Sequence, residues 1–487
     1  MKQKFAEGLL LSAVCVLAFA VMFGHFTGVK NIALACAVLG LLALAVVRKR
    51  RPVDAHYAPW PQADLLVPLG LWMAWTAASL AWSVFPAASA AAWVDEVAIP
   101  TLGFFAFYRI GSIGRPVASA AGVRSGKTRT RATAKGTRAA PAPAALAARP
   151  EDLDQADRPY YAVAFETSCW LAAFLLAALS LYGVGQLDPE MPKPGLLHFY
   201  ERVGHTSTFA VAVLPLFIAL CARAATRLAG ISGILLALLI GLLSLNRFFE
   251  ISAIVTLLIG FSPALRRRRL AGALTVVVLL VVGTAAVLYS TAERRPAVAG
   301  AVVPTAMQQL ERAVDVDRWK VSLSRMVDND TRPMVWRAYA ELGMQHPWIG
   351  VGFGKPLPAY AYAESLPPSL VILEPHAKTH AHDLFLNTWL QVGVIGLVLQ
   401  LLLLIALIRA FMRTAAADVW LRAAGVALVC GVICKNLTDD FLWQSTSLAF
   451  WGQAGWLLGR ARLSGMVRYR LASGRSVAMR RLRRVGN

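Results

Sequence analysis

Charge is scarce in this sequence. Asp, Glu, Lys and Arg together make up 16% of the 487 residues, against 57% hydrophobic. The charges fall between long apolar stretches, which excludes a water-soluble globule with its apolar side chains tucked inside. Lipid must be the main solvent. Cysteine is sparse as well, and Cys15, Cys36, Cys169, Cys221, Cys430 and Cys434 all lie within apolar stretches, which excludes a disulfide framework or a zinc site in the long loops. Strand signals are few, so the Leu-, Ala- and Val-rich stretches favour helices over a barrel. The first apolar run, which follows Met-Lys-Gln-Lys, has no convincing small-residue cleavage site. That run reads as a retained signal anchor.

What the chain has in abundance is apolar runs long enough for a bilayer core, which needs roughly 20 residues per helix. The pattern predicts an all-α polytopic membrane protein of about twelve transmembrane helices, at 8–27, 30–47, 64–82, 92–109, 160–183, 205–222, 229–245, 248–264, 270–290, 384–408, 417–435 and 442–459. With the N-terminus in the cytoplasm, the basic clusters at 48–51, 109–149, 223–227, 266–269, 409–413 and 460–484 all fall on the cytoplasmic face. The C-terminus is then cytoplasmic too. Topology and contact with anionic lipids, without nucleic acid, account for the net charge of +22.

The same reading divides the chain. Spans one to four occupy 1–110, a basic cytoplasmic insertion occupies 111–159, and spans five to nine occupy 160–290. A large outer loop follows at 291–383, then spans ten to twelve at 384–459 and a basic tail at 460–487. The insertion is rich in Ala, Arg, Lys, Thr, Gly and Pro with no acid from 111 to 150, a composition expected to stay disordered. From Arg460 onward the tail has nine arginines and no acid, which suits a solvated or headgroup-bound segment.

Between spans nine and ten, the loop is large enough to fold. Leu310, Val314, Trp319, Leu323 and Met326 recur at mostly helical spacing and predict an amphipathic helix. A second helix is predicted from Pro333 through Val335, Ala338, Tyr339 and Leu342, stopped by Gly343 and Pro347. Gly350, Gly352 and Gly354 then form a turn; with no strand before them and no Lys-Ser/Thr after them, they are a poor match to a phosphate loop.

Three outer-side arginines stand out. Arg247 opens the eighth span on the face where cations are disfavoured; it either snorkels to headgroups or binds an anion with its planar fork. Arg332 precedes Pro333, where the guanidinium and the free amides of a helix start address one volume, as a phosphate site would require; the alternative is an ordinary surface arginine. Arg202 is the third, with Glu201 as an easy partner.

The densest polar run is Glu374-Pro-His376-Ala-Lys378-Thr-His380-Ala-His382-Asp383, just before a long apolar helix. An extended segment at 380–382 would project both rings from one face, with Asp383 placed to cap the helix that follows. Three readings stay open: a bland interfacial loop, a metal site built from His376, His380, His382 and Asp383, and a general base at His382 or His380. The run lacks the helical His-Glu-x-x-His metal pattern.

At these residues the sequence resembles the bacterial O-antigen ligase family, within the superfamily that also holds O-antigen polymerases and protein O-oligosaccharyltransferases. The matching pieces are Leu-Asn246-Arg247, Thr331-Arg332-Pro-Met-Val-Trp336, His346-Pro-Trp-Ile-Gly350-Val-Gly352 and His380-Ala-His382-Asp383-Leu-Phe-Leu-Asn-Thr-Trp-Leu-Gln391-Val-Gly-Val-Ile-Gly396. Their order and their common side of the membrane make the combination specific. The resemblance implies a metal-independent glycosyltransferase of GT-C-like, all-helical fold, with no cofactor. Such an enzyme moves a glycan from undecaprenyl diphosphate to the lipid A core oligosaccharide at the periplasmic face of the inner membrane. It also implies His382 as the base and Arg247 and Arg332 as diphosphate ligands; His380 and Arg202 are candidate supporting residues beside them. Asp383 stands where the family has Asn or Ser.

A glycosyl diphosphate already carries a good leaving group. The enzyme must neutralise developing negative charge and deprotonate one hydroxyl, tasks suited to arginine and histidine. Single-step attack opposite the diphosphate predicts inversion at the anomeric carbon. A polymerase or protein-glycosylating enzyme would share this scaffold with another acceptor. A transporter of a lipid-linked anion would need polar groups near mid-bilayer and duplicated halves, whereas the spans read as mostly clean apolar runs.

Overall fold

The computed structural model describes residues 2–23, 26–50, 57–114, 160–185, 203–244, 246, 248–267, 331–414 and 418–485. Among these the chain is helical, and its β pairing is a single isolated antiparallel bridge, Tyr57 to Ile113. In order, the helices are α1 Lys2–Ala20, α2 Thr27–Arg50, α3 Ala63–Ala78, α4 Pro86–Trp93, α5 Ile99–Gly111, α6 Tyr160–Gly185, α7 Val203–Leu220 and α8 Arg227–Leu243. They continue as α9 Phe249–Gly260, α10 Ser262–Arg267, α11 Arg332–Gly343, α12 Leu357–Ala361, α13 Pro368–Leu373, α14 Leu384–Met412, α15 Val419–Asn436 and α16 Gln444–Val485.

Eight of these segments are long and apolar enough to cross a membrane: α1, α2, α3, the α4–α5 unit, α6, α8, α14 and α15, with α7 and α9 shorter apolar helices. Their outer faces carry exposed large side chains such as Ile32, Leu228 and Leu235. A helix apolar on both faces belongs in hydrocarbon, and this is an integral membrane protein. Eleven of the twelve expected spans coincide with helices. The ninth, at 270–290, lies outside the described residues, as do the amphipathic helix expected over 307–326 and residues 115–159 of the insertion.

Two of these helical segments differ from expectation. The fourth runs from Pro86 to Gly111 and holds a π turn at Val94–Ala98 between α4 and α5. The last continues unbroken into the basic tail, so that α16 has 42 residues. Helices α5 and α16 approach until backbones touch: a Cβ on Gly455 would stand 2.3 Å from the Phe104 carbonyl oxygen, and one on Gly459 2.5 Å from that of Tyr108. Only glycine permits that spacing, the usual device for packing helices in lipid.

The spans are also less cleanly apolar than the sequence suggested. Glu7, Arg109, Glu166, Glu250 and Lys435 are buried within helices; Glu7 accepts the Tyr57 and Tyr161 hydroxyls and Arg109 lies over the Tyr57 ring, partners far away in the chain that a linear reading does not reveal.

Helix α14 is where the loop residues meet the spans. At Gly393 its backbone turns to φ 71°, so two helical pieces meet at a kink. The carbonyls the kink releases are taken up from elsewhere: Leu390 by the Val351 amide at 3.0 Å, Gln391 by the Gly352 amide at 2.9 Å, and Val392 by the Trp75 indole at 3.0 Å. The Val394 amide donates to Pro347 at 2.9 Å. Buried backbone groups require such partners. The glycine turn therefore clasps a broken helix. Its amides are committed to protein carbonyls, which removes the phosphate-loop reading.

Candidate functional site

Helix α11 forms where the sequence expects it, with Pro333 in its first turn and an Arg337–Glu341 pair at 3.0 Å on its exposed face. Val335 and Tyr339 on the other face are fully buried in a small core with Val351, Leu370, Ala377 and Ala381. Three bonds pin the histidine segment to this helix. Tyr339 donates to the Ala377 carbonyl at 2.6 Å, Thr331 donates to the Glu374 carboxylate at 2.9 Å, and the Trp336 indole donates to the His382 carbonyl at 3.4 Å. Trp336 stands about one turn along α11 from Arg332, so Arg332 and His382 are brought to the same end of that helix.

The segment at 380–382 is not extended as expected. His382 has φ 56°, in the left-handed region, where a residue with a Cβ is strained. The strain is held by neighbours on both sides: Ala381 is fully buried, and the Asp383 carboxylate caps α14 by accepting the Leu386 amide at 2.7 Å. The rings still meet. Their centroids lie 4.1 Å apart at an interplanar angle of 50°, with the Thr379 hydroxyl 2.8 Å from Nδ1 of His380.

His382 is mostly buried, and its Nε2 makes no hydrogen bond among the described residues. Burial holds this imidazole below its ordinary titration range, assisted by the nearby Arg332 and Lys355 cations and opposed by Asp439 and Glu374. A neutral ring with a free nitrogen suits proton abstraction.

Beside the histidines lies a buried charge network that the sequence reading missed. Asp439 accepts from Lys435 at 2.6 Å and from the Asn246 amide at 2.9 Å. Asn387 donates to the Asp440 carboxylate at 2.6 Å and to the Lys355 carbonyl at 3.2 Å. The Lys355 ammonium hydrogen-bonds the Asp440 carbonyl and lies 4.5 and 4.7 Å from the ring centroids of Phe441 and Trp443. Burial pushes the Asp440 carboxyl up to about 6, although Lys355 and Asn387 pull it down. Burial acts on Asp439 in the same sense, but Lys435, Asn246 and Arg332 outweigh it and hold that carboxyl below the usual range. The available sequence signal was a lysine within an apolar helix, four residues before an aspartate.

Of the expected site residues, His380, His382 and Arg332 come together. Arg247 and Arg202 lie outside the described residues. The residues flanking Arg247 do reach the site: Asn246 binds Asp439 and also accepts the Phe248 amide at 3.1 Å, and the Phe248 ring lies 5.1 Å from the Arg332 guanidinium. The His376 side chain is likewise outside the description. Among the described residues no three His, Cys, Asp or Glu side chains are grouped to hold a metal ion, and the Asp383 carboxylate is engaged as a helix cap.

No curated protein matches the chain. Residues 212–401 match the family model described as O-antigen ligase. That stretch contains Arg247, Arg332, His380 and His382, while Lys435, Asp439 and Asp440 lie beyond it. With the motifs in the order already described, this match shows that the chain resembles the O-antigen ligase family within its wider superfamily.

Proposed function

We propose that this protein is an O-antigen ligase, a glycosyltransferase that moves O-antigen glycan from undecaprenyl diphosphate onto the lipid A core oligosaccharide during lipopolysaccharide assembly. One juxtaposition carries the reading: the neutral imidazole of His382, with its free Nε2, beside Arg332 at the start of α11. In this reading the chain sits in the bacterial inner membrane, both termini are cytoplasmic, and the loop at 291–383 faces the periplasm.

The acceptor hydroxyl oxygen attacks the anomeric carbon of the donor sugar as its proton passes to Nε2 of His382. The bond from that carbon to the diphosphate oxygen breaks, and undecaprenyl diphosphate leaves with the electron pair. Arg332 and Arg247 grip the diphosphate and stabilise the charge that develops there. Attack opposite the leaving group inverts the anomeric centre. Asp439, held ionised near His382, offsets the imidazolium that forms.

An O-antigen polymerase or a protein O-oligosaccharyltransferase would use the same donor chemistry with a different acceptor. The glycolipids of a deletion strain separate these readings. Core-only lipopolysaccharide with carrier-linked polymer accumulating supports the ligase, and core capped with single repeats supports the polymerase. Transfer that persists in exhaustive EDTA supports a metal-independent mechanism; its loss, with recovery on adding a divalent cation, refutes that part of the proposal.

A further inference from the structure

The loop between α15 and α16 lies outside the stretch matched to the family, yet its Phe441 touches four elements of the site. The ring stands edge-on to His380, with centroids 5.9 Å apart at 80°. Its other neighbours are two buried ammonium groups, with Lys355 at 4.5 Å and Lys435 at 5.8 Å from the centroid. It also presses on the first turn of α7, where a Cβ on Gly204 would fall 2.0 Å from a ring carbon. The backbone of Phe441 is fixed from both sides. Its amide donates to the Asn436 side chain at 2.8 Å, and its carbonyl accepts the Thr446 hydroxyl.

An aromatic ring satisfies all these neighbours together. Its faces attract ammonium groups, its edge packs against an imidazole, and its flatness lets α7 approach at a glycine. We propose that Phe441 is a positioning residue, holding His380 against His382 and seated for that purpose on Gly204. The proposal deepens the proposed function, since it assigns the means by which the base is held, and it acts through His380 without contact with substrate.

The geometry makes a coupled expectation. Phe441→Leu removes the support under His380. Gly204→Ala pushes the ring away from the other side, but a leucine at 441 relieves that collision. The two substitutions are therefore expected not to add.

The test uses the purified full-length chain in lipid nanodiscs, as wild type, Phe441→Leu, Gly204→Ala and the double variant. Reaction of His380 with diethyl pyrocarbonate, followed by peptide mass spectrometry, reports the support directly and needs no glycosyl transfer. Both single variants should react faster at His380, and the double variant no faster than Phe441→Leu alone. In the transfer assay each single variant should lower kcat by up to about 100-fold, the cost of misplacing a reacting group by ~1 Å, here His382 through His380, with little change in donor KM. Unchanged His380 reactivity in both single variants overturns the proposal, and so does a double variant whose effect is the product of the two. Gly204→Ala, the milder change, supplies the answer where Phe441→Leu yields no folded protein. Failure of the ligase reading is seen separately, as no transfer to lipid A core by the wild-type chain, and leaves the reactivity measurement intact.

Discussion

The carboxylate of Asp383 accepts the amide of Leu386 at 2.7 Å, capping α14 one residue after His382. This accounts for an acid where the resembled family carries Asn or Ser, because all three side chains can accept that amide hydrogen. Asp383→Asn and Asp383→Ser should therefore keep the fold and most of the transfer. Asp383→Ala should cost about 1 kcal/mol, typical of a lost cap. Thermal unfolding in one detergent, with transfer rates alongside, checks both statements.

A second prediction concerns pH. Burial, then the Arg332 and Lys355 cations, hold the His382 imidazole below its ordinary range, so it remains a base as pH falls through about 6.5. The acid limb of kcat should lie below that value. Arg332→Met should move the limb upward. The unfolded chain takes up this proton first, so the contribution of His382 is fully present above the unfolded value and stability falls on acidification below it. Unfolding measured against pH in wild type and His382→Gln should show this dependence only in wild type.

Removing Arg332 or Arg247 should each lose about 2–4 kcal/mol of transition-state stabilisation, the scale of one lost oxyanion donor. Lysine at either position should recover only part of it, because an ammonium lacks the two-point fork. Values of kcat/KM for the donor in the four variants test this. An Arg332→Ala enzyme with wild-type kcat/KM would remove the arginine from the mechanism.

The Lys435–Asp439 pair, at 2.6 Å and almost wholly buried, predicts a stability effect. Lys435→Met alone leaves a buried carboxylate without its cation and should destabilise by about 3–5 kcal/mol, whereas Lys435→Met with Asp439→Leu should recover much of the loss. Comparing unfolding of the single and double variants decides it.

Gly393 supplies a structural prediction away from the charges. Its φ of 71° and the 2.0 Å that would separate a Cβ from the Trp348 carbonyl carbon leave no room for alanine. Gly393→Ala should release the clasp between the glycine turn and α14, and proteolysis between residues 343 and 357 should accelerate.

The helices were legible because lipid imposes a simple demand: an apolar run of the right length can be little else. Helix α11 was legible from Pro333 and the spacing of Val335, Tyr339 and Leu342, and that Arg332 and His382 share a site was an implication of the resemblance. The kink at Gly393 was not, because the donors that make it tolerable sit at Val351, Gly352 and Trp75. The left-handed backbone of His382 was also hidden, since neighbours from α11 impose it. Lys355 and Asp440 escaped notice for a related reason. A buried charge is recognised by its partner, and these partners are 85 residues apart in the chain.

The account turns on His382 as the group that takes the acceptor's proton. The most direct measurement is transfer of carrier-linked glycan to lipid A core by the purified chain, with His380 and His382 replaced by alanine separately. We predict that His382→Ala gives no transfer above background while His380→Ala transfers slowly. Transfer by His382→Ala at the wild-type rate would contradict the account.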